Sequence, residues 1–171
     1  MNILQNIHAF DVQAFYWFMA RKHRALMTRI GRAISFTADG PLYVAGALLF
    51  ITLGYETLAL VLVFGFLLER CVYFILKRSC KRNRPADILE DFCSYIIPSD
   101  QFSFPSGHTS GAFFFAYCLA EWFPECNFLL YFWAVNVGMS RIFLGVHFPT
   151  DTVIGALLGS ACAAFIIGVL V

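Results

Sequence analysis

From Pro41 to Leu68 the chain carries no lysine or arginine, and Glu56 is the one charged side chain in the run. Hydrocarbon offers backbone N–H and C=O groups no water, so a segment of this kind satisfies them internally as a helix. One crossing needs roughly 20 apolar residues. The run is longer than that, and Gly54-Tyr55-Glu56-Thr57 divides it into crossings at 41–54 and 57–77. Three further apolar segments follow at 107–121, 127–142 and 150–171. Only 13% of the 171 residues are charged and 60% are hydrophobic, whereas soluble domains carry about a quarter charged residues. The expectation is an all-α integral membrane helical bundle of about five to six transmembrane helices, formed by one domain over 1–171.

Residues 8–38 differ in character. Phe10, Phe15, Phe18, Met19, Leu26, Ile30 and Ile34 are interrupted by Arg21, Lys22, Arg24, Arg29 and Arg32. That alternation predicts amphipathic helices lying at the membrane interface, a 1–40 N-terminal portion. The opening MNILQNIHAF lacks the basic stretch and unbroken apolar core of a cleavable signal. Asp39-Gly40-Pro41 reads as the turn that starts the next helix. In the last segment Gly155 and Gly159, among Ser160, Ala161, Ala163 and Ala164, predict close helix packing. The six cysteines form no CxxC pair and no zinc-like spacing. Cys71, Cys118 and Cys162 read as core filler. Cys80 and Cys93 flank a polar loop, where a disulfide would need an oxidising compartment. His8 and His23 read as structural. The net charge of +1 says nothing about nucleic acid, no nucleic-acid partner is expected, and the oligomeric state is left open.

Tracing the crossings places the polar chemistry on one side. Segment 57–77 delivers Lys77 to a membrane face, and the loop 78–105 stays there. Segment 107–121 leaves that face, 127–142 returns to it with Arg141, and the final helix departs after Asp151. Lys77, Arg84, Ser106, His108, Arg141, His147 and Asp151 therefore meet at one face. Glu69 and Arg70, adjacent opposite charges inside the second crossing, are expected to find partners within the bundle. Arg78, Lys81 and Arg82 are expected to meet lipid headgroups. Asp87, Glu90, Asp91 and Asp100 are expected to solvate the loop.

Three motifs lie within 77–151: Lys77-RSCKRN-Arg84-Pro85, Pro105-Ser106-Gly107-His108, and Ser140-Arg141-IFLGV-His147-FPT-Asp151. Together they closely resemble the signature of the type 2 phosphatidic acid phosphatase family, which shares a superfamily with bacterial acid phosphatases and vanadium haloperoxidases. The pattern K-x6-RP, PSGH and SR-x5-H-x3-D is matched without substitution, in order and at family spacing. The first 40 residues add nothing to the match.

Phosphoryl transfer needs a nucleophile, an acid for the leaving oxygen and fixed positive charge around the phosphoryl oxygens. Lys77, Arg84 and Arg141 supply the charge, and arginine suits bidentate contact with phosphate. Ser106 and Gly107 stand at a helix N-terminus, which favours an anion. No carboxylate cage for Mg²⁺ is evident, so no metal or other cofactor is expected. A carboxylate four residues after His147 can fix its tautomer. The resemblance implies the same roles: His147 forms a phosphohistidine oriented by Asp151, and His108 protonates the leaving oxygen and later accepts a proton from water.

The resemblance thus implies a metal-independent lipid phosphatase whose partners are its lipid phosphate substrate and membrane lipids. Undecaprenyl diphosphate, phosphatidic acid, phosphatidylglycerophosphate and a lipid A phosphate all fit. A phosphotransferase to an acceptor alcohol, or a non-catalytic lipid-binding or scrambling protein, are the alternatives. The basic residues 21–32 lie on the catalytic face, so the positive-inside rule places that face in the cytoplasm. The resemblance implies the periplasmic face of a bacterial inner membrane, and that orientation is the one adopted.

Overall fold

The structure, a computed structural model, describes residues 3–171, so the first two residues of the N-terminal portion lie outside the described residues. The described residues form helices α1 (Ile3–Met19), α2 (Arg24–Phe36), α3 (Gly40–Thr52), α4 (Glu56–Cys80), α5 (Pro85–Ile88), α6 (Gly107–Trp122), α7 (Asn127–Phe143) and α8 (Pro149–Leu170), with no strand among them. The five expected crossings correspond to α3, α4, α6, α7 and α8. The division at Gly54 is a turn at positive φ of 81°, a conformation open to glycine because it has no Cβ.

The centre of the bundle is α6 packed along α8, with α4 and α7 beside them. Leu58, Val61, Leu62, Phe114, Cys118, Cys162, Ala163 and Ile166 form one buried cluster between them. The small residues of α8 permit the approach: a Cβ on Gly155 would lie 2.6 Å from the Ser106 carbonyl oxygen. Outward, Leu48, Phe64, Leu157 and Phe165 are more than half exposed. In a bilayer that apolar surface meets acyl chains, so the bundle is an integral membrane protein with its polar groups turned inward and to one end.

By length and composition α4 and α8 are long enough to cross. α3 has 13 residues, or about 20 Å at about 1.5 Å per residue. It reaches crossing length only with α2, from which it is bent by 43°. The expected amphipathic N-terminal helices are present, and they pack against the bundle. Thr28, Gly31 and Ser35 of α2 are buried. Gly31 abuts Ser140 of α7, and Trp133 Nε1 donates to Thr37 Oγ1 across 2.8 Å. Phe15 and Met19 of α1 share a core with Leu89, Ile142 and Phe148. Both N-terminal helices are built into the polar end of the bundle. A correction concerns Cys71, which is exposed, whereas Cys118 and Cys162 are buried as expected.

Candidate active site

α4 is long enough to carry two tiers of polar residues on one face. Glu69 and Arg70 lie deeper, and Tyr73 and Lys77 follow one and two turns on. Arg70 chelates Glu69, with Nε 2.5 Å from Oε2 and Nη2 2.7 Å from Oε1. Glu69 is fully buried and also accepts from Ser110 Oγ of α6. Arg70 Nη2 donates to the Gly107 carbonyl across 3.1 Å. The expected partners within the bundle are therefore each other and the first turns of α6. A Cβ on Gly107 would lie 3.0 Å from the Tyr73 ring, which would have to give by a few tenths of an ångström.

Above this pair lies a cavity of about 110 Å³, lined among others by Arg70, Tyr73, Lys77, Arg84, Asp100, Gly107, His108, Arg141 and His147. Lys77, Arg84 and Arg141 come from α4, the following loop and α7, as the three motifs predict. Each is almost fully buried, so each needs an anionic or polar partner. Lys77 Nζ donates to Tyr73 Oη at 2.5 Å and to Asp100 Oδ2 at 2.8 Å. Arg84 Nη2 donates to Asp100 Oδ1 at 2.5 Å and Nη1 to the Val146 carbonyl at 2.6 Å. Arg141 Nη1 donates to Ser35 Oγ at 2.5 Å.

Asp100 is thus no loop-solvating residue. Its carboxylate sits among the cations, where Tyr73 Oη also donates to it across 2.8 Å. Burial alone would raise its pKa, but the contacts with Lys77, Tyr73 and Arg84 prevail and hold it below the ordinary carboxylate value.

His147 occupies the loop between α7 and α8 and is 2% exposed. Burial first, then Arg141, Arg84, Lys77 and His108, push its pKa well below the ordinary histidine value. Its surroundings therefore favour the neutral imidazole. Pro149 at the first position of α8 sets the helix start. Asp151 then accepts from the Phe148 N–H at 2.8 Å. The same Oδ2 lies 3.8 Å from His147 Nδ1, which is near but beyond a hydrogen bond. Among the described residues His147 Nδ1 and Arg141 Nε are buried and make no hydrogen bond. Nδ1 is thus the ring nitrogen on the Asp151 side.

Ser106 behaves otherwise than expected. Its N–H donates to the Asp151 carbonyl at 3.0 Å, and its Oγ lies 2.9 Å from Thr109 Oγ1. It ties α6 to α8 and leaves Gly107 and His108 to line the cavity. His108 Nε2 lies 2.9 Å from Asp39 Oδ1.

Two residues that sequence reasoning did not assign to the site stand behind it. Arg82, expected at lipid headgroups, donates from Nη1 to Asp151 Oδ1 at 2.8 Å and from Nη2 to Asp11 Oδ2 at 2.6 Å. Asp11 of α1 is fully buried and accepts from the Thr150 N–H at 3.0 Å. Nothing in the spacing of Asp11 and Arg82 signals a pairing across 71 residues.

An apolar groove of about 270 Å³ lies beside this cavity, between α3 and α4. Ala47, Leu48, Ile51, Leu62, Val63 and Phe115 help to line it, and Tyr43 and Phe66 belong to both groove and cavity.

The profile of the PAP2 superfamily matches residues 58–170. The phosphatidylglycerophosphatase B of Bacillus subtilis is 33% identical over 144 residues, covering 78% of this chain and 66% of that protein. The lipid A 1-phosphatase of Rhizobium johnstonii is 38% identical over 93 residues, covering 50% of this chain and 37% of that protein. The chain thus spans just under two thirds of the first of these relatives and well under half of the second. The crystal structure of Aquifex aeolicus LpxE superimposes with a TM-score of 0.82 at 28% identity, covering 92% of this chain and 94% of that one. Motif order, bundle architecture and profile agree, and the chain belongs to the PAP2 superfamily.

Proposed function

We propose that the chain is a metal-independent lipid phosphatase that hydrolyses a lipid mono- or diphosphate through a phosphohistidine on His147. The observation that carries this reading is a buried His147 that lines one cavity with Lys77, Arg84 and Arg141, beside an apolar groove that shares Tyr43 and Phe66 with it. The cations suit the equatorial oxygens of a phosphoryl group, and Arg141 Nε is a donor whose hydrogen bond such an oxygen would complete. The groove suits an acyl or prenyl chain.

In the first step His147 Nε2 attacks phosphorus. The N–P bond forms as the bond to the lipid oxygen breaks, and that oxygen takes its electron pair and a proton from His108. In the second step neutral His108 accepts a proton from water. The hydroxide attacks phosphorus, the N–P bond breaks, and inorganic phosphate leaves with His147 restored. The cations stay fixed throughout and need no reorganisation. The relatives' names point to phosphatidylglycerophosphate and a lipid A phosphate as substrates to test first. The catalytic face is assigned to the periplasmic side of a bacterial inner membrane.

The test is phosphate release from purified phosphatidylglycerophosphate, phosphatidic acid, lipid A and undecaprenyl diphosphate in detergent with EDTA. Release from at least one, with acid-labile and base-stable label on His147, is the expected result. Activity that vanishes with EDTA and returns with Mg²⁺, or full turnover by His147→Ala, would overturn it.

A further inference from the structure

Asp39 follows the bend between α2 and α3 and occupies the N-cap position of α3. An aspartate there ordinarily accepts a backbone N–H of the first helical turn, a contact worth about 1 kcal/mol. Asp39 forms no such side-chain bond with the described residues. Its backbone carbonyl accepts the Leu42 N–H at 3.0 Å, while the carboxylate turns out of the helix. Oδ1 meets His108 Nε2 at 2.9 Å, across 69 residues of chain.

Stability does not account for this choice. The two side chains are 42% and 24% exposed, and exposed ion pairs contribute roughly 0–1 kcal/mol. The surroundings of His108 are more informative. Arg141 from α7, Arg70 from α4 and His147 from the loop before α8 all bear on it, and Asp39 is the carboxylate set against them. An ionised carboxylate only accepts hydrogen bonds, so the contact keeps a hydrogen on Nε2 and fixes the plane of the ring. Nδ1 is then the nitrogen that exchanges a proton with the leaving oxygen. Asp39 and the bend that places it also lie outside residues 58–170, the part that the family profile matches.

We infer that Asp39 is a positioning residue for His108, orienting the imidazole for proton delivery to the lipid oxygen as Asp151 serves His147. The inference rests on the phosphatase reading above. It divides the site into two histidine–carboxylate pairs, one for attack on phosphorus and one for the leaving group. The second pair hangs on the α2–α3 bend, so the placement of α3 bears directly on leaving-group chemistry.

The experiment compares two substrates on the full chain in detergent. Dioctanoyl phosphatidic acid expels an alkoxide that needs a proton, and 4-nitrophenyl phosphate expels a phenolate that does not. Both substrates share the later hydrolysis of the phosphohistidine, so leaving-group release is read in a single turnover. Asp39→Asn should slow it about 10- to 100-fold on the lipid, with KM within about twofold. It should lose less than about a tenth as much on 4-nitrophenyl phosphate, and Asp39→Glu should recover part of the lipid activity. His108→Ala should show the same selectivity more strongly.

Wild-type leaving-group release from the lipid by Asp39→Asn, beside a selectively impaired His108→Ala, would overturn the inference and leave the phosphatase reading standing. So would equal losses on both substrates with a raised KM, which mark a binding or folding role. The phosphatase reading fails by a different result, turnover of 4-nitrophenyl phosphate by His147→Ala.

Discussion

Arg82 Nη1 donates to Asp151 Oδ1 across 2.8 Å, through the carboxylate oxygen that does not face His147. Asp151, the proposed orienting group of His147, is thereby clamped from behind, and Arg82 is itself anchored to buried Asp11 at 2.6 Å. A chain of alternating charge runs from α1 to His147. Removing one partner of a buried pair leaves the other uncompensated, commonly at a cost of about 3–5 kcal/mol. Asp11→Asn should therefore lower the thermal midpoint in detergent. It should also reduce kcat about 10- to 100-fold, the scale found when outer partners of a ligating imidazole are replaced. Wild-type kcat in Asp11→Asn would show that the anchor does not reach the nucleophile.

Asp100 invites a test of opposite sign. Its carboxylate accepts from Lys77, Tyr73 and Arg84, the donors a phosphoryl group would use. Neutralising it leaves those cations without their internal anion. Asp100→Asn should bind orthovanadate, a mimic of five-coordinate phosphorus, several-fold more tightly, with a matching fall in KM. Weaker vanadate inhibition would mean that Asp100 organises the cations more than it competes for them.

Much of this architecture was legible in the residues, and the failures share one physical cause. Helix limits followed apolar runs because hydrocarbon forbids unpaired backbone, so 57–77 and 127–142 became Glu56–Cys80 and Asn127–Phe143. The cluster of Lys77, Arg84, His108, Arg141 and His147 followed from motif spacing and alternating crossings. Cys71 was misjudged because in a membrane an apolar run does not distinguish core from lipid-facing surface. Arg82 and Asp100 were misjudged because a charge beside a bilayer reads as solvated until its partner is known. Their partners lie on other elements: Asp151 for Arg82, and Lys77 for Asp100. Ser106 had the right position at a helix start, but its N–H is already used by Asp151.

The burial of His147 has a consequence for stability. Its native pKa is depressed by burial and by Arg141, Arg84, Lys77 and His108, while the unfolded value is about 6.5. Below about 6.5 the unfolded state binds a proton that the native state refuses, so this contribution is complete above that pH and lost as pH falls. The slope is at most about 1.4 kcal/mol per pH unit for one proton. The thermal midpoint of the wild type should fall faster between pH 7 and pH 5.5 than that of His147→Asn. Parallel curves would mean that His147 is protonated in the native state.

Arg141 tests the geometry of charge apart from its sign. Its Nη1 is held by Ser35 at 2.5 Å, and its Nε is buried without a hydrogen bond among the described residues. A lysine keeps the charge and loses the planar fork. Arg141→Lys should lower kcat by about 10²-fold or more, as when one transition-state donor is removed. A change confined to KM would place Arg141 in uniform substrate binding.

The side of the membrane can be read from cysteines without reference to activity. Cys80 ends α4 at the catalytic end, and Cys93 lies in the loop that bears Asp100. Both are exposed and unpaired. Cys126 lies in the α6–α7 joint, at the far end of those helices, and is partly exposed. Cys71 is exposed too, but on the body of α4, where lipid shields it from an aqueous reagent. With the catalytic face in the periplasm, a membrane-impermeant maleimide added to reduced, intact cells should label Cys80 and Cys93. Both signals should vanish in Cys80→Ser/Cys93→Ser, and Cys126 should react only after the membrane is opened. Labelling of Cys126 alone in intact cells would place the phosphate site in the cytoplasm. The chemistry would be unchanged, because the helix order decides which residues share a face and leaves the choice of compartment to insertion.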